Sequence, residues 1–167
     1  MSNLYPPEGR LLHTLQNRAN VETLSRLRQT MARETVVEGR VTLCTPAHDL
    51  VVQLGPFTGT IPREEAALGI REGTAREISI LSRVGKPVSC VVTQVEGSLS
   101  RRRAQELALE ALLACSPGTV LPATVTHLAG FGAFVDVGCG VVSMIGIENC
   151  SVSRISHPAR RFTVGQE

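Results

Sequence analysis

Aromatic residues are scarce in this sequence, with four Phe, one Tyr and no Trp among 167 residues, yet Phe131 and Phe134 fall together in the block GFGAFVDVG at 130–138. A pair of outward-facing rings offers flat apolar surfaces on which unpaired nucleobases stack. Strand parity predicts the orientation: if Val135 and Val137 face a core, Phe134 and Asp136 face the other way. Phe131 falls on the far side of a regular strand, and Gly132 permits the bulge or bend that brings both rings to one side. The competing arrangement has one ring in the core and the other under a loop. His127, near the end of the preceding strand, offers an edge to a base or is simply a surface histidine. Downstream, Arg154, His157, Arg160 and Arg161 form a basic segment. In it Arg154 is the best-placed phosphate contact, the alternative being a solvated loop that His157-Pro158 turns.

Other chemistries find little support. Gly85-Lys86 is followed by Pro87, and GCGVVS at 138–143 lacks a third glycine, so neither makes a phosphate-cradling loop. Cys150 and His157 can be drawn as a nucleophile and base, but nothing orients or activates them. The acids stand singly or as the solvent-type pair Glu64-Glu65. Five cysteines, an odd number and never spaced C-x-x-C, suggest reduced and mostly buried thiols rather than a disulfide framework or zinc site. The reading is therefore noncatalytic, with no cofactor and no metal.

Composition sets the outer bounds. With 43% hydrophobic and 19% charged residues the chain can bury a core. A net charge of +2, with Lys86 the one lysine among 17 basic residues, does not announce a nucleic-acid binder, so any basic surface must be local. No apolar run approaches the roughly 18 residues that span a bilayer, and no signal peptide heads the chain, which places it by expectation in the cytoplasm without membrane contact.

The elements that must position these residues fall into four stretches. Residues 1–34 carry Leu11, Leu12, Leu15, Val21, Leu24, Leu27 and Met31 at helical spacing behind a Pro6-Pro7 start signal, predicting one helix, or two with a break near Asn20. Its stripe packs on the following domain or docks a partner. Residues 35–99 read as five short strands with a helix-like interruption at REEAALGIREG, a small barrel. Residues 100–116 form a helical connector capped by Ser100, with Arg101, Arg102 and Arg103 as a solvated helix end or a phosphate contact, and Arg102 spaced to pair with Glu106. Residues 117–167 return to strands and align with the first set: Val41 with Val125 at an offset of 84, Val52 with Val135 at 83, Val84-Gly85-Lys86 with Val164-Gly165-Gln166 at 80. The second copy reaches only the start of its fourth strand by Glu167, so the expectation is a mainly β protein of two small five-stranded barrels, the second incomplete, in a fragment of a longer chain or one completed from elsewhere.

The segment VTHLAGFGAFVDVG at 125–138, with the later SVSRISHP and VGQ, resembles a five-stranded oligonucleotide-binding (OB) barrel of the ribosomal S-one RNA-binding type. The pair of repeats joined by LSRRRAQ, with GTIPREEAALGI and SRVGKPV in the first, looks like the Firmicutes-type ribosomal S-one-like proteins. The resemblance implies single-stranded RNA, most plausibly messenger RNA in translation, bound on the barrel face, with Phe131 and Phe134 matching the family's two aromatics. Where the family often ends its third strand in histidine this sequence has SMIG, with Gly146 at that position. The first copy sets His48, Val51 and Pro62 at the levels of Phe131, Phe134 and that histidine. Its residues 35–98 hold six basic and seven acidic side chains, a net charge of −1. A barrel so lacking in aromatics reads as structural or protein-docking. The rival function is accordingly a docking module, held by the leading helix and first barrel to a ribosome or an RNA-processing enzyme.

Overall fold

The computed structural model describes residues 4–167; the first three residues of the expected helical lead lie outside the described residues. Pro6-Pro7 does not start a helix. The chain after it runs as an irregular strap because a buried carboxylate takes its backbone donors: Glu38 accepts from the N–H groups of Gly9, Leu11 and Leu12 at 3.0, 3.1 and 2.9 Å. Helices begin only where a threonine hydroxyl can cap them. Thr14 accepts from the Asn17 N–H at the head of α1 (Leu15–Asn20), and Thr23 from the Arg26 N–H at the head of α2 (Leu24–Ala32). The expected break near Asn20 is thus present. Val21 and Leu27 bury in the following barrel with Met31 packed beside them, whereas Leu15 and Leu24 stay exposed.

Strands β1 (Val37–Cys44), β2 (Leu50–Leu54) and β3 (Phe57–Ile61) precede α3 (Ile78–Leu81), and β4 (Pro87–Gln94) and β5 (Ser98–Ser100) close the barrel in the order β1-β2-β3-β5-β4. Leu50, Val52 and Leu54 alternate inward along β2 and meet Val37, Val41, Ile61, Val88 and Leu99 in the core. The expected helix-like interruption shrinks to one 3-10 turn, Arg63–Glu65, followed by turns in which Gly69 and Gly73 take positive φ.

Ser100 caps α4 (Arg101–Leu113) as expected, accepting from the Arg103 N–H at 2.9 Å. Ala104 and Ala108 pack against Val36 and Val91 on one side and Cys139 on the other. Within the arginine run at its head only Arg101 is buried, and all three are paired, because acids from several segments converge on them. Arg101 meets Glu8 at 2.8 Å, Arg102 meets Glu106 at 2.6 Å and Glu72 at 3.2 Å, and Arg103 meets Glu34 at 2.9 Å.

Residues beyond α4 form a three-stranded antiparallel sheet of β6 (Thr124–Ala129), β7 (Gly132–Asp136) and β8 (Val142–Gly146). Several details recur between it and the barrel. Each first strand bulges against the second, between Val41 and Leu43 in one and between Val125 and His127 in the other. The bulged Thr42 and Thr126 hydroxyls donate to Val51 and Phe134 carbonyls, both at 3.3 Å. A 3-10 turn follows each third strand, Arg63–Glu65 and Ile147–Asn149. Val41 exchanges hydrogen bonds with Gly85 and Lys86, and Val125 does so with Gly165 and Gln166.

The strap binds sheet to barrel. Its Glu8 N–H donates to Asp136 at 2.8 Å, and the Glu8 carboxylate accepts from Arg101, from Arg83 at 3.0 Å and from the Ser89 N–H at 2.8 Å. The Cys139 N–H returns to the Pro6 carbonyl at 3.1 Å. None of the five cysteines is in a disulfide, and among the described residues no helix is long and apolar enough to cross a membrane.

Candidate nucleic-acid interface

Phe131 is a turn residue, not a strand residue. Ala129 and Gly132 pair across the β6–β7 hairpin, leaving Gly130 and Phe131 at its tip, and the Phe131 carbonyl accepts from the Ile147 N–H at 2.9 Å. The ring is 60% exposed. It meets Phe134 edge to face, with centroids 5.9 Å apart and planes at 85°. Phe134 is half-buried, so neither ring is sunk in the core and the two share one side, as expected, by a different route. The bulge lies on β6 at Thr126 rather than at Gly132. Gly132 answers a different need: a Cβ there would stand 2.5 Å from the Ile145 carbonyl oxygen, so only glycine lets β8 approach this closely.

The Thr126 bulge also selects the third ring. Val125 pairs with Val135, but after the extra residue it is His127 that lies opposite Phe134, with ring centroids 5.8 Å apart. Met144 pairs with Phe134 from the other side, on β8, and remains exposed. The platform is therefore His127, Phe131, Phe134 and Met144. Gly146 shares the parity of Met144 and pairs with Gly132, so the position at which the resemblance places a histidine is on this face, with the Glu148 carboxylate lying where a side chain would start.

Asp136, expected outward beside Phe134, has that parity but is buried. The strap covers its end of the sheet. Its Oδ1 accepts from the Gly138 and Gly140 N–H groups at 2.8 and 3.1 Å, and its Oδ2 from Glu8. Burial raises its pKa in spite of these donors. Glu38 is likewise pushed up by burial. Glu8, buried just as deeply, ends below the ordinary carboxylate range, because Arg101 and Arg83 outweigh the cost of desolvation.

Arg154 lies in the exposed segment after β8 and makes no hydrogen bond or ion pair among the described residues. Nearby, Arg161 is spent on the Ser151 and Ser153 hydroxyls, each at 3.1 Å, and His157 turns the chain by accepting from the Ala159 N–H. Three of the four residues singled out from sequence are thus in ring contact, while Arg154 lines a neighbouring cleft with Ile147 and Glu148. On the first barrel the equivalent bulge places Leu43 opposite Val51. His48, at φ +65°, is tied to Glu77 at 2.6 Å, while Arg63 holds that carboxylate below its ordinary value. No ring faces another there. Among the described residues no cluster of His, Cys, Asp or Glu is arranged to hold a metal.

Residues 116–167 match the S1 RNA binding domain. That stretch holds the three-stranded sheet and its ring cluster, and the domain is an OB-type, single-stranded RNA-binding one. No curated protein matches the chain. Sequence reasoning passed over Met144 and the Glu8–Asp136 link. The first was legible from strand parity, since Met144 stands two residues before Gly146 and so shares its face. The second had no local signal, since its partners lie 128 residues apart.

Proposed function

We propose that this chain is a noncatalytic binder of single-stranded RNA, messenger RNA during translation, whose bases stack on Phe131 and Phe134 with His127 at the flank. The observation that carries the reading is the edge-to-face pair of Phe131 and Phe134, with His127 against Phe134, inside the matched domain. Arg154, with no partner of its own, supplies a phosphate contact. Stacking on exposed rings is tolerant of sequence, so the RNA preference is for unpaired bases rather than for particular ones. The recurrence of bulge, 3-10 turn and glycine hydrogen bonds supports reading β6–β8 as the first part of a second OB-type barrel.

Fluorescence anisotropy with a labelled single strand and its duplex tests the reading. Binding to the single strand that weakens with salt, and much weaker binding to the duplex, is the expected result. Equal binding to both, or none at low salt, overturns it.

A second reading applies to the first barrel. Its bare equivalent face, with His48 committed to Glu77, favours a protein-docking role for that half, and the ribosome is the partner we propose for it.

A further inference from the structure

We propose that the cleft lined by the segment 147–156 takes one nucleotide of the same RNA strand, and that Glu148 reads its base, favouring guanine. The proposal rests on the reading of the ring cluster as a stacking platform. The rings themselves choose no base, so a bias among bases has to come from a group that meets a base edge. The cleft has a volume of about 760 Å³, within the roughly 300–1,000 Å³ of small-molecule sites. Ile147, Val152 and Ile155 supply apolar lining, and Glu148 and Arg154 supply its charges.

The cleft adjoins the platform through two of these residues. The Ile147 N–H donates to the Phe131 carbonyl at the hairpin tip, at 2.9 Å. Glu148 reaches back over the sheet: a Cβ at Gly146 would stand 2.8 Å from its Oε2, and Gly146 shares the face of Met144, which pairs with Phe134. The carboxylate therefore lies on the ring face and lines the cleft at once. This corner is the end of the sheet away from Asp136 and the strap, and both Phe131 and Glu148 are exposed there. Gly146 has its φ at −60°, which suits any residue, so the backbone does not require glycine. What a side chain would take away is the space that the carboxylate fills.

Glu148 makes no hydrogen bond or ion pair among the described residues, so both its oxygens remain available. An ionised carboxylate accepts and cannot donate. Guanine presents N1–H and the N2 amino group side by side, matching two oxygens. Adenine and cytosine each set one amino group beside a ring nitrogen that is itself an acceptor, and uracil flanks its N3–H with two carbonyls. Each of these three opposes the carboxylate with at least one acceptor. Arg154, likewise unpartnered, offsets the carboxylate's charge in the same lining and takes the phosphate.

The test uses the full chain and fluorescence anisotropy with a short labelled oligouridylate in which one internal nucleotide is uridine, guanosine, adenosine, cytidine or inosine. The guanosine strand should bind about tenfold more tightly than the uridine strand, and inosine, which lacks the N2 amino group, should fall between them. Glu148→Gln, at an exposed position where no hydrogen bond or ion pair is broken, should remove most of that difference. Arg154→Ala should weaken all five strands alike, because a phosphate contact carries no base information. Equal binding of the five strands by the parent chain, with binding removed by Phe131→Ala with Phe134→Ala, overturns the guanine site and leaves the platform standing. A Glu148→Gln chain that binds every strand more tightly by the same factor also overturns the site, since the carboxylate would then only repel phosphate. A guanosine preference that Glu148→Gln abolishes, in a chain whose double alanine variant binds like the parent, supports the site and overturns the platform. No binding to any strand overturns both.

Discussion

His127 and Phe134 face each other across β6 and β7 with ring centroids 5.8 Å apart, because Thr126 bulges out of register between Val125 and His127. One extra residue therefore decides which side chain joins the aromatic face. The same bulge on the first barrel brings Leu43 opposite Val51 instead, so backbone geometry is shared while the chemistry it presents is not.

Replacing both Phe131 and Phe134 by alanine should weaken single-stranded RNA binding by about 2–6 kcal/mol, at roughly 1–3 kcal/mol per stacked base. Melting should change little, since Phe131 is a turn residue and Phe134 only half-buried. Anisotropy and circular dichroism check the two halves of this statement. Loss of cooperative unfolding would show that the rings hold the sheet together rather than serve a ligand.

Gly146→His should strengthen RNA binding by about 1–3 kcal/mol, by adding a ring to the exposed face beside Met144. The new Cβ displaces only the Glu148 carboxylate, the flexible end of a side chain. Unchanged affinity in the same titration would mean that the strand does not cross this corner of the sheet.

Gly132→Ala is the opposite kind of change. Its methyl group would press on the Ile145 carbonyl, which belongs to backbone and cannot swing aside. We expect a loss of about 2 kcal/mol or more, typical of steric overpacking. Hydrogen exchange should localise it to β7 and β8, with barrel amides unaffected. Uniform loss of protection across both sheets would contradict this assignment.

Glu8→Gln should cost about 3–5 kcal/mol, the penalty for removing one partner of a buried ion pair and leaving two guanidinium groups uncompensated. Urea denaturation measures it. A change below about 1 kcal/mol would mean that solvent reaches the pair freely.

Acid should act through the same residue. The Glu8 carboxyl lies below its ordinary value of 4.5 in the folded chain, so its stabilisation is complete above that pH and is lost as pH falls through the lower, folded value. Glu38 and Asp136, both raised by burial, act in the reverse sense: they favour folding when protonated, and that contribution fades as pH climbs through their raised values. Stability should therefore decline as pH rises from the ordinary carboxylate values through the raised ones of Glu38 and Asp136, and fall again on acidification through the lowered value of Glu8. In Glu8→Gln the acid loss should largely vanish.

Much of this was legible in the sequence because it is local. The alternation in LVVQL at 50–54, the Ser100 cap and the spacing of Arg102 with Glu106 each lie within a few residues and obey strand or helix period. The side on which Phe131 would lie was also legible, though not its place at a hairpin tip, because the bulge that sets the register sits five residues away in the preceding strand. What composition could not reveal was the fate of charges. The run Arg101–Arg103 looks free in sequence apart from the local Glu106, yet distant acids, Glu8, Glu34 and Glu72, also converge on it. Similarly Pro6-Pro7 promises a helix start, and Glu38 forestalls it by capturing the backbone donors of the next turn.

The strap also sets the order of events when the chain is made. Its Glu8 leaves the ribosome well ahead of its partners: Arg83 and Arg101 follow about 75 and 93 positions later and Asp136 128 positions later. At roughly 5–20 residues per second, the strap waits several seconds with a carboxylate that has nothing to bury against. The barrel can gather its strands in that interval, while the strap closes only after β7 has emerged. The strap is therefore made before its partners and settles after them, and a chain halted before Asp136 should carry this segment loose and open to proteases.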